Sequence, residues 1–255
     1  MDEARGAGAG PGWIAAQWAA PAAVRAGTTT REGGVSTDAW ASLNLASHVG
    51  DAPEAVRANR ARLARALALP AEPLWLRQVH GRAVVVHDGR RAEPQADAAV
   101  AFEPRRVLAV LSADCVPVAL ASQAGDRIGL AHVGWRGLLA GVIEATSAAL
   151  ALPAAELCAW LGPAIGPAAF EVGAEVRAAL VAADPEAGSA FAANARGRWQ
   201  ADLAALARLR LARLGVSRIA GGELCTYRAV GQFYSYRRDS RCGRMATLAW
   251  IAGDD

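Results

Sequence analysis

The chain contains four histidines and four cysteines, and three of these eight lie where a reaction centre could be built. His80 sits in Gln78-Val79-His80-Gly81, and His132 in His132-Val133-Gly134-Trp135-Arg136-Gly137. Between them, Ser112-Ala113-Asp114-Cys115-Val116-Pro117-Val118 interrupts an apolar run with an acid and a thiol. Strand ends beside glycine-rich turns hold side chains rigidly yet within reach of solvent. Two imidazoles and one thiolate suit Zn²⁺, and three protein ligands leave a fourth position for water or substrate. The separations of 35 and 17 residues match no compact zinc finger. On residues alone, ordinary hydrogen-bonded histidines and a buried thiol remain the competing reading.

Other groups have weaker claims. His48, between Ser47 and Val49-Gly50-Asp51, either lines the site or stabilises its turn. His87 alternates with Val84 and Val86 and reads as a surface strand residue. Gly134-Trp135-Arg136-Gly137, just before an expected helix, offers backbone N–H groups and a guanidinium for an anion, or an arginine paired to a local carboxylate. Gly162-Pro163-Ala164-Ile165-Gly166-Pro167 reads as a tight turn that either approaches a ligand or serves folding alone. Arg31 is a second anion contact. The arginine-rich stretch from Tyr234 to Arg244 reads as a solvated loop, and Glu171 as a helix-entry residue. Of the eight tryptophans, Trp135 is the one expected at the site rather than in the core.

These residues need a scaffold. Asp51-Ala52-Pro53-Glu54 predicts a helix start, with Asp51 as cap and Glu54 completing a capping box, and the helix runs to about residue 69. Short Val-rich runs predict strands over 74–79, 83–87, 107–111, 116–120 and 128–133. A helix is expected over 137–150, a strand over 157–161, helices over 174–183 and 201–214, and a final strand over 245–251. This mixture, without strict strand–helix alternation, predicts an α/β (α+β) sandwich, a mixed β-sheet core flanked by helices. Residues 1–12, rich in Gly and Ala, read as a disordered leader, and 13–255 as a single catalytic domain. All 27 basic residues are Arg, so lysine Schiff-base and P-loop lysine chemistry are excluded. A formal charge of +3 argues for no nucleic acid and no membrane partner. Sparse cysteines and the lack of a signal-like segment predict a cytoplasmic protein with reduced thiols, with a monomer favoured.

Seven motifs occur in order: Arg31-Glu32-Gly33-Gly34-Val35-Ser36; Leu43-Asn44-Leu45 with His48-Val49-Gly50-Asp51; Gln78-Val79-His80-Gly81; Ala113-Asp114-Cys115-Val116-Pro117; His132-Val133-Gly134-Trp135-Arg136-Gly137; Gly162-Pro163-Ala164-Ile165-Gly166; and Ser235-Tyr236-Arg237-Arg238-Asp239. From about Val24 to Ile251 the chain resembles the YfiH-like family, also called laccase-domain or polyphenol oxidoreductase proteins and peptidoglycan editing factor. Two departures are Ala164, where members often carry Cys, and Tyr236, where His is common. The resemblance implies a YfiH-like fold and zinc held by His80, Cys115 and His132. It further implies a purine nucleoside enzyme, phosphorolysing adenosine, inosine and methylthioadenosine and deaminating adenosine, with nucleoside and phosphate as its small-molecule partners. In that setting Cys115 and Asp114 are the expected catalytic groups, with Asp114 moving a proton or orienting a ligand. Arg31, Asn44, Gln78 and Arg136 are the expected substrate contacts. Peptidoglycan-precursor editing and copper-dependent phenol oxidation are the alternatives. Four histidines are too few for blue and trinuclear copper centres together, although copper at the His/Cys site could oxidise phenols in vitro.

Overall fold

The computed structural model describes residues 10–89 and 93–253. The chain lays down β1 (Trp13–Ala15) and β2 (Val24–Thr29), then crosses a long loop to α1 (Pro53–Ala66). Strands β3 (Val84–Val86), β4 (Ala98–Ala101), β5 (Val107–Ser112), β6 (Val116–Ser122) and β7 (Ile128–Val133) follow. Helices α2 (Trp135–Ala140) and α3 (Val142–Ala149) lead to β8 (Leu157–Leu161), β9 (Glu171–Val172) and α4 (Ala174–Ala183). The remainder is β10 (Phe191–Ala193), β11 (Trp199–Ala201), α5 (Leu203–Leu214), β12 (Arg218–Gly221), the single turn α6 (Tyr236–Asp239) and β13 (Met245–Ile251). No helix among the described residues is long and apolar enough to cross a membrane.

The fold is the expected mixed α+β sandwich, but its core holds two large sheets rather than one. An antiparallel sheet has the order β1-β2-β13-β5, and a mixed sheet the order β12-β8-β6-β7-β4-β3. Only the outer pairs β12/β8 and β3/β4 of the mixed sheet are parallel. Period-two alternation then sorts each strand between two layers. Leu108 and Val110 of β5 face Ala119 and Ala121 of β6 and Leu130 of β7 between the sheets. Val107, Ala109 and Leu111 point the other way, onto Leu43, Leu45 and Leu63. On the far side of the mixed sheet, Val116, Val118 and Leu120 pack against Leu138, Ile143, Leu180 and Leu206 of the helices. A strand buried on both faces reads as an unbroken apolar run, which is why these segments show no polar alternation.

Several local expectations are corrected. Asp51 does not cap α1: Ala52 stands at that position, and no side chain caps it. The Asp51 carboxylate instead accepts from Ser36 Oγ at 2.7 Å and Asn44 Nδ2 at 2.9 Å. The helix expected over 137–150 starts earlier, at Trp135, and breaks at Gly141, whose φ of 86° ends α2 and opens α3. Segment 74–79 forms only isolated bridges, Leu74 to Leu108 and Arg77 to Gln95. His87 is buried rather than at the surface. Of the expected leader, residues 1–9 lie outside the described residues, while Gly12 is backbone-paired with Thr30 and Glu32.

The loop between β2 and α1 is fastened by one side chain. Asn59, fully buried on α1, accepts from the Val35 N–H at 2.8 Å. Its amide donates to Ser36 Oγ, Ser42 O and Asn44 O. Truncation would strand several buried polar groups at once. Asn59→Ala is expected to cost about 2–4 kcal/mol, read as a lower urea midpoint; a midpoint unchanged from wild type would show that the loop is held by other contacts.

Candidate metal centre

The three donors arrive from three parts of the fold. His132 lies near the end of β7, opposite Pro117 of β6. Cys115 sits in the turn that carries the chain from β5 in one sheet to β6 in the other. His80 occupies the turn before β3 with a positive φ of 60°, a conformation uncommon for a residue with a side chain. One ligand atom from each lies within 4.8 Å of the other two. Cys115 Sγ stands 3.9 Å from His80 Nε2, and the two imidazoles meet edge-on with centroids 4.8 Å apart.

Sequence reasoning missed the group that assembles them. Asp97, wholly buried immediately before β4, accepts from His132 Nδ1 at 3.0 Å. It also accepts the backbone N–H groups of Val79, His80 and Gly81 at 3.2, 2.8 and 2.7 Å. One carboxylate thus fixes the tautomer of one imidazole and the loop that carries the other. With Nδ1–H of His132 given to Asp97, Nε2 is left for a metal. Gly134 completes the cradle: an added Cβ would lie 3.0 Å from both Cys115 Sγ and His80 Cδ2. Among the described residues the cluster offers three protein donors, so the donor set and its orientation fit zinc with an open position. The only sequence trace of Asp97 was a single acid at the head of the apolar run 98–101.

Charge organises the same groups. Burial would raise the Cys115 thiol, but the His132 and His80 imidazoles outweigh it and bring it down to about 6. Burial would lower His132, but the Cys115 thiolate and the Asp97 carboxylate hold it up to about 9. Asp97 itself stays below its ordinary range because the hydrogen bonds from His132 and Gly81 outweigh its burial.

The triad opens into a cavity of about 620 Å³, also lined by His48, Trp135, Arg136, Phe170, Arg237 and Arg244. That size is typical of small-molecule sites. His48 therefore lines the site, and its pKa is lowered by burial and by Arg244. Asp114 and Gln78 also reach the wall, but their polar atoms are committed. Asp114 has φ of 101°; its carboxylate accepts from Thr226 Oγ1 and the Arg237 N–H, both at 2.7 Å. These bonds brace the Cys115 turn and keep the carboxylate at the cavity wall. Gln78 forms a two-way pair with the Leu111 backbone.

Arg31 and Asn44 do not line the cavity. Arg31 donates to Ala41 O and Val230 O and stacks on Tyr234. Asn44 is buried and accepts the Ala46 and Arg244 N–H groups. Both are structural. Glu171 lies in β9, where Asn194, Arg196 and Arg198 converge on its carboxylate. Gly162 serves packing, since an added Cβ would meet Pro117 at 2.6 Å. The Tyr234–Arg244 segment is not a solvated loop: Tyr234 is fully buried with its hydroxyl on Trp40 O, and Arg237 and Arg244 face the cavity. The dense run of arginines was the available signal.

Two measurements probe this arrangement. Asp97→Asn is expected to weaken zinc binding about 10- to 100-fold by chelator competition; unchanged affinity would remove the carboxylate from its organising role. In metal-free protein, thiolate ultraviolet absorbance should rise as pH passes about 6, against about 8.5 for a free thiol, and disappear in Cys115→Ala. A proton competes for His132 below about 9 and for the sulfur below about 6, so zinc affinity should fall with pH, more steeply below about 6. A midpoint near the free-thiol value would show that the imidazoles do not stabilise the thiolate.

Known proteins resemble this chain over nearly its whole length. Residues 25–252 match the family model described as multi-copper polyphenol oxidoreductase laccase. A purine nucleoside phosphorylase of Pseudomonas aeruginosa is 51% identical over 240 residues, covering 94% of this chain and 98% of that protein. The purine nucleoside phosphorylase YfiH of Escherichia coli is 48% identical over 239 residues, covering 93% and 98%. A crystal structure of a Neisseria meningitidis protein superposes with a TM-score of 0.91 at 46% identity, covering 94% of this chain and 99% of that one. YlmD from Geobacillus stearothermophilus gives a TM-score of 0.86 at 32% identity, covering 99% and 98%. With the match running through both sheets and all three donors, the chain belongs to the YfiH-like laccase/polyphenol oxidoreductase family.

Proposed function

We propose that this chain is a zinc-dependent purine nucleoside phosphorylase. It would cleave adenosine, inosine and methylthioadenosine to the base and (methylthio)ribose 1-phosphate, and deaminate adenosine in the same cavity. The observation that carries the reading is one cavity joining the His80–Cys115–His132 triad, the aromatic surfaces of Trp135 and Phe170, and guanidinium groups. A flat base, a polar sugar and an anion need those three surfaces. Relatives named purine nucleoside phosphorylase, about half-identical over nearly their whole length, support it. The donors and cavity residues lie within 48–244, which supports 13–255 as one catalytic domain. A reducing, cytoplasmic setting suits the exposed edge of the Cys115 thiol.

In phosphorolysis a phosphate oxygen bonds to C1′ of the ribose while the bond from C1′ to the purine nitrogen breaks. The electron pair leaves with the base, which takes up a proton. Zinc held by His80, Cys115 and His132 would supply Lewis-acid polarisation. Asp97 keeps those ligands in place, and Arg136 at the cavity wall attracts the phosphate. The aromatic walls orient the base by stacking and exclude water from its face. Deamination would exchange the C6 amine for water oxygen, releasing ammonia. Despite the family description, the triad has two imidazoles and one thiolate, and His87 is buried elsewhere. That set cannot build a multicopper oxidase; copper there would support at most phenol oxidation in vitro.

Chromatography of zinc-loaded protein incubated with adenosine tests this directly. Adenine and ribose 1-phosphate are expected only when phosphate is present, inosine with or without it, and neither from Cys115→Ala. Absence of all products from the zinc-loaded wild type would overturn the reading.

A further inference from the structure

A phosphorylase must hold its anionic co-substrate, and in a chain without lysine, arginine is the permanently charged side chain for that task. Three guanidiniums line the metal cavity: Arg136, Arg237 and Arg244. None of the three pairs with a carboxylate among the described residues. Two of them are held by backbone carbonyls, and all three lie against rings. Arg237 donates to Glu171 O at 2.8 Å and lies over the Phe170 ring at 5.2 Å. Arg244 donates to Cys242 O and Gly243 O at 2.9 and 3.0 Å and faces the Tyr236 ring at 5.6 Å. Arg136 stacks on Trp135 at 4.4 Å.

Elsewhere the arginines that meet acids do so at short range, as Arg213 does with Asp184 and Arg106 with Glu103. Three guanidiniums on one cavity wall, none of them ion-paired, outnumber its one carboxylate, Asp114, and give the wall a positive potential that favours an anion. Carbonyls satisfy part of the Arg237 and Arg244 guanidiniums and leave other N–H groups for a planar, two-pronged contact with oxygen. Arg237 is also tied to the metal ligands: its backbone N–H donates to Asp114, the residue beside Cys115.

We propose that Arg237 and Arg244, together with Arg136 on the same cavity wall, form the subsite that holds the phosphate dianion. This rests on the phosphorylase reading for the identity of the anion, while the subsite itself rests on the guanidinium geometry. The segment 234–244, far from the triad in sequence, thereby becomes the co-substrate side of the cavity.

The test is calorimetric titration of zinc-loaded full-length protein with inorganic phosphate at fixed ionic strength, beside steady-state kinetics. Arg237→Gln and Arg244→Gln are each expected to weaken phosphate binding about tenfold or more, and to raise KM for phosphate alike. The KM for adenosine and the zinc content should stay near wild type. Arg237→Lys, which keeps the charge but not the fork, should lie between, and guards against a folding defect in the glutamine variant. Arg218→Gln, at an exposed strand position away from the cavity, should bind phosphate normally. Phosphorolysis with an unchanged KM for phosphate in both glutamine variants would overturn the subsite and leave the phosphorylase standing. Phosphate bound through these arginines without any phosphorolysis would confirm the subsite and overturn the phosphorylase reading.

Discussion

The Asp97 carboxylate is the interaction on which the site depends. It is removed from water just before β4 and receives three backbone N–H groups and one imidazole. A buried anion is stable only when its lone pairs are met, and here the groups that meet them carry the metal ligands. Desolvation that would otherwise be a cost thus selects one loop conformation for His80 and one tautomer for His132. The positive φ of His80 belongs to the same bargain, because hydrogen bonds to Asp97 hold the turn open.

Cys115 is placed by a different constraint. Strand β5 belongs to one sheet and β6 to the other, so the short turn between them must cross the sandwich edge. Asp114 adopts φ of 101° at that crossing and is held there by Thr226 and Arg237. The thiol therefore emerges at the rim of both sheets, beside His132 at the end of β7. Thiolate and imidazolium then stabilise each other, and the pair is poised to exchange a proton for a metal ion.

The family description speaks of copper oxidases, whereas the named relatives are phosphorylases. The chemistry of the cavity favours the second. One His₂Cys cluster beside guanidiniums that pair with no carboxylate and beside aromatic walls serves an anion and a flat base better than it serves electron transfer through several coppers.

Much of the scaffold was legible locally. The Val-rich strands over 107–111, 116–120, 128–133 and 245–251, the helices over 174–183 and 201–214, and the three donor-bearing motifs all depend on periodicity or on residues adjacent in the chain. What sequence alone could not decide was long-range. Unbroken apolar runs do not say whether one sheet or two cover them, because a strand buried on both faces looks the same in either case. Asp97 and His132 are 35 residues apart, and nothing nearby marks the acid as a partner. Arg31 and Asn44 resembled ligand contacts yet spend their hydrogen bonds on backbone groups and, for Asn44, on Asp51, while Arg237 and Arg244 resembled solvated charge yet face the cavity. A polar side chain's role is set by which donors and acceptors surround it in space, and only the packing of the two sheets and the loop 234–244 supplied those neighbours.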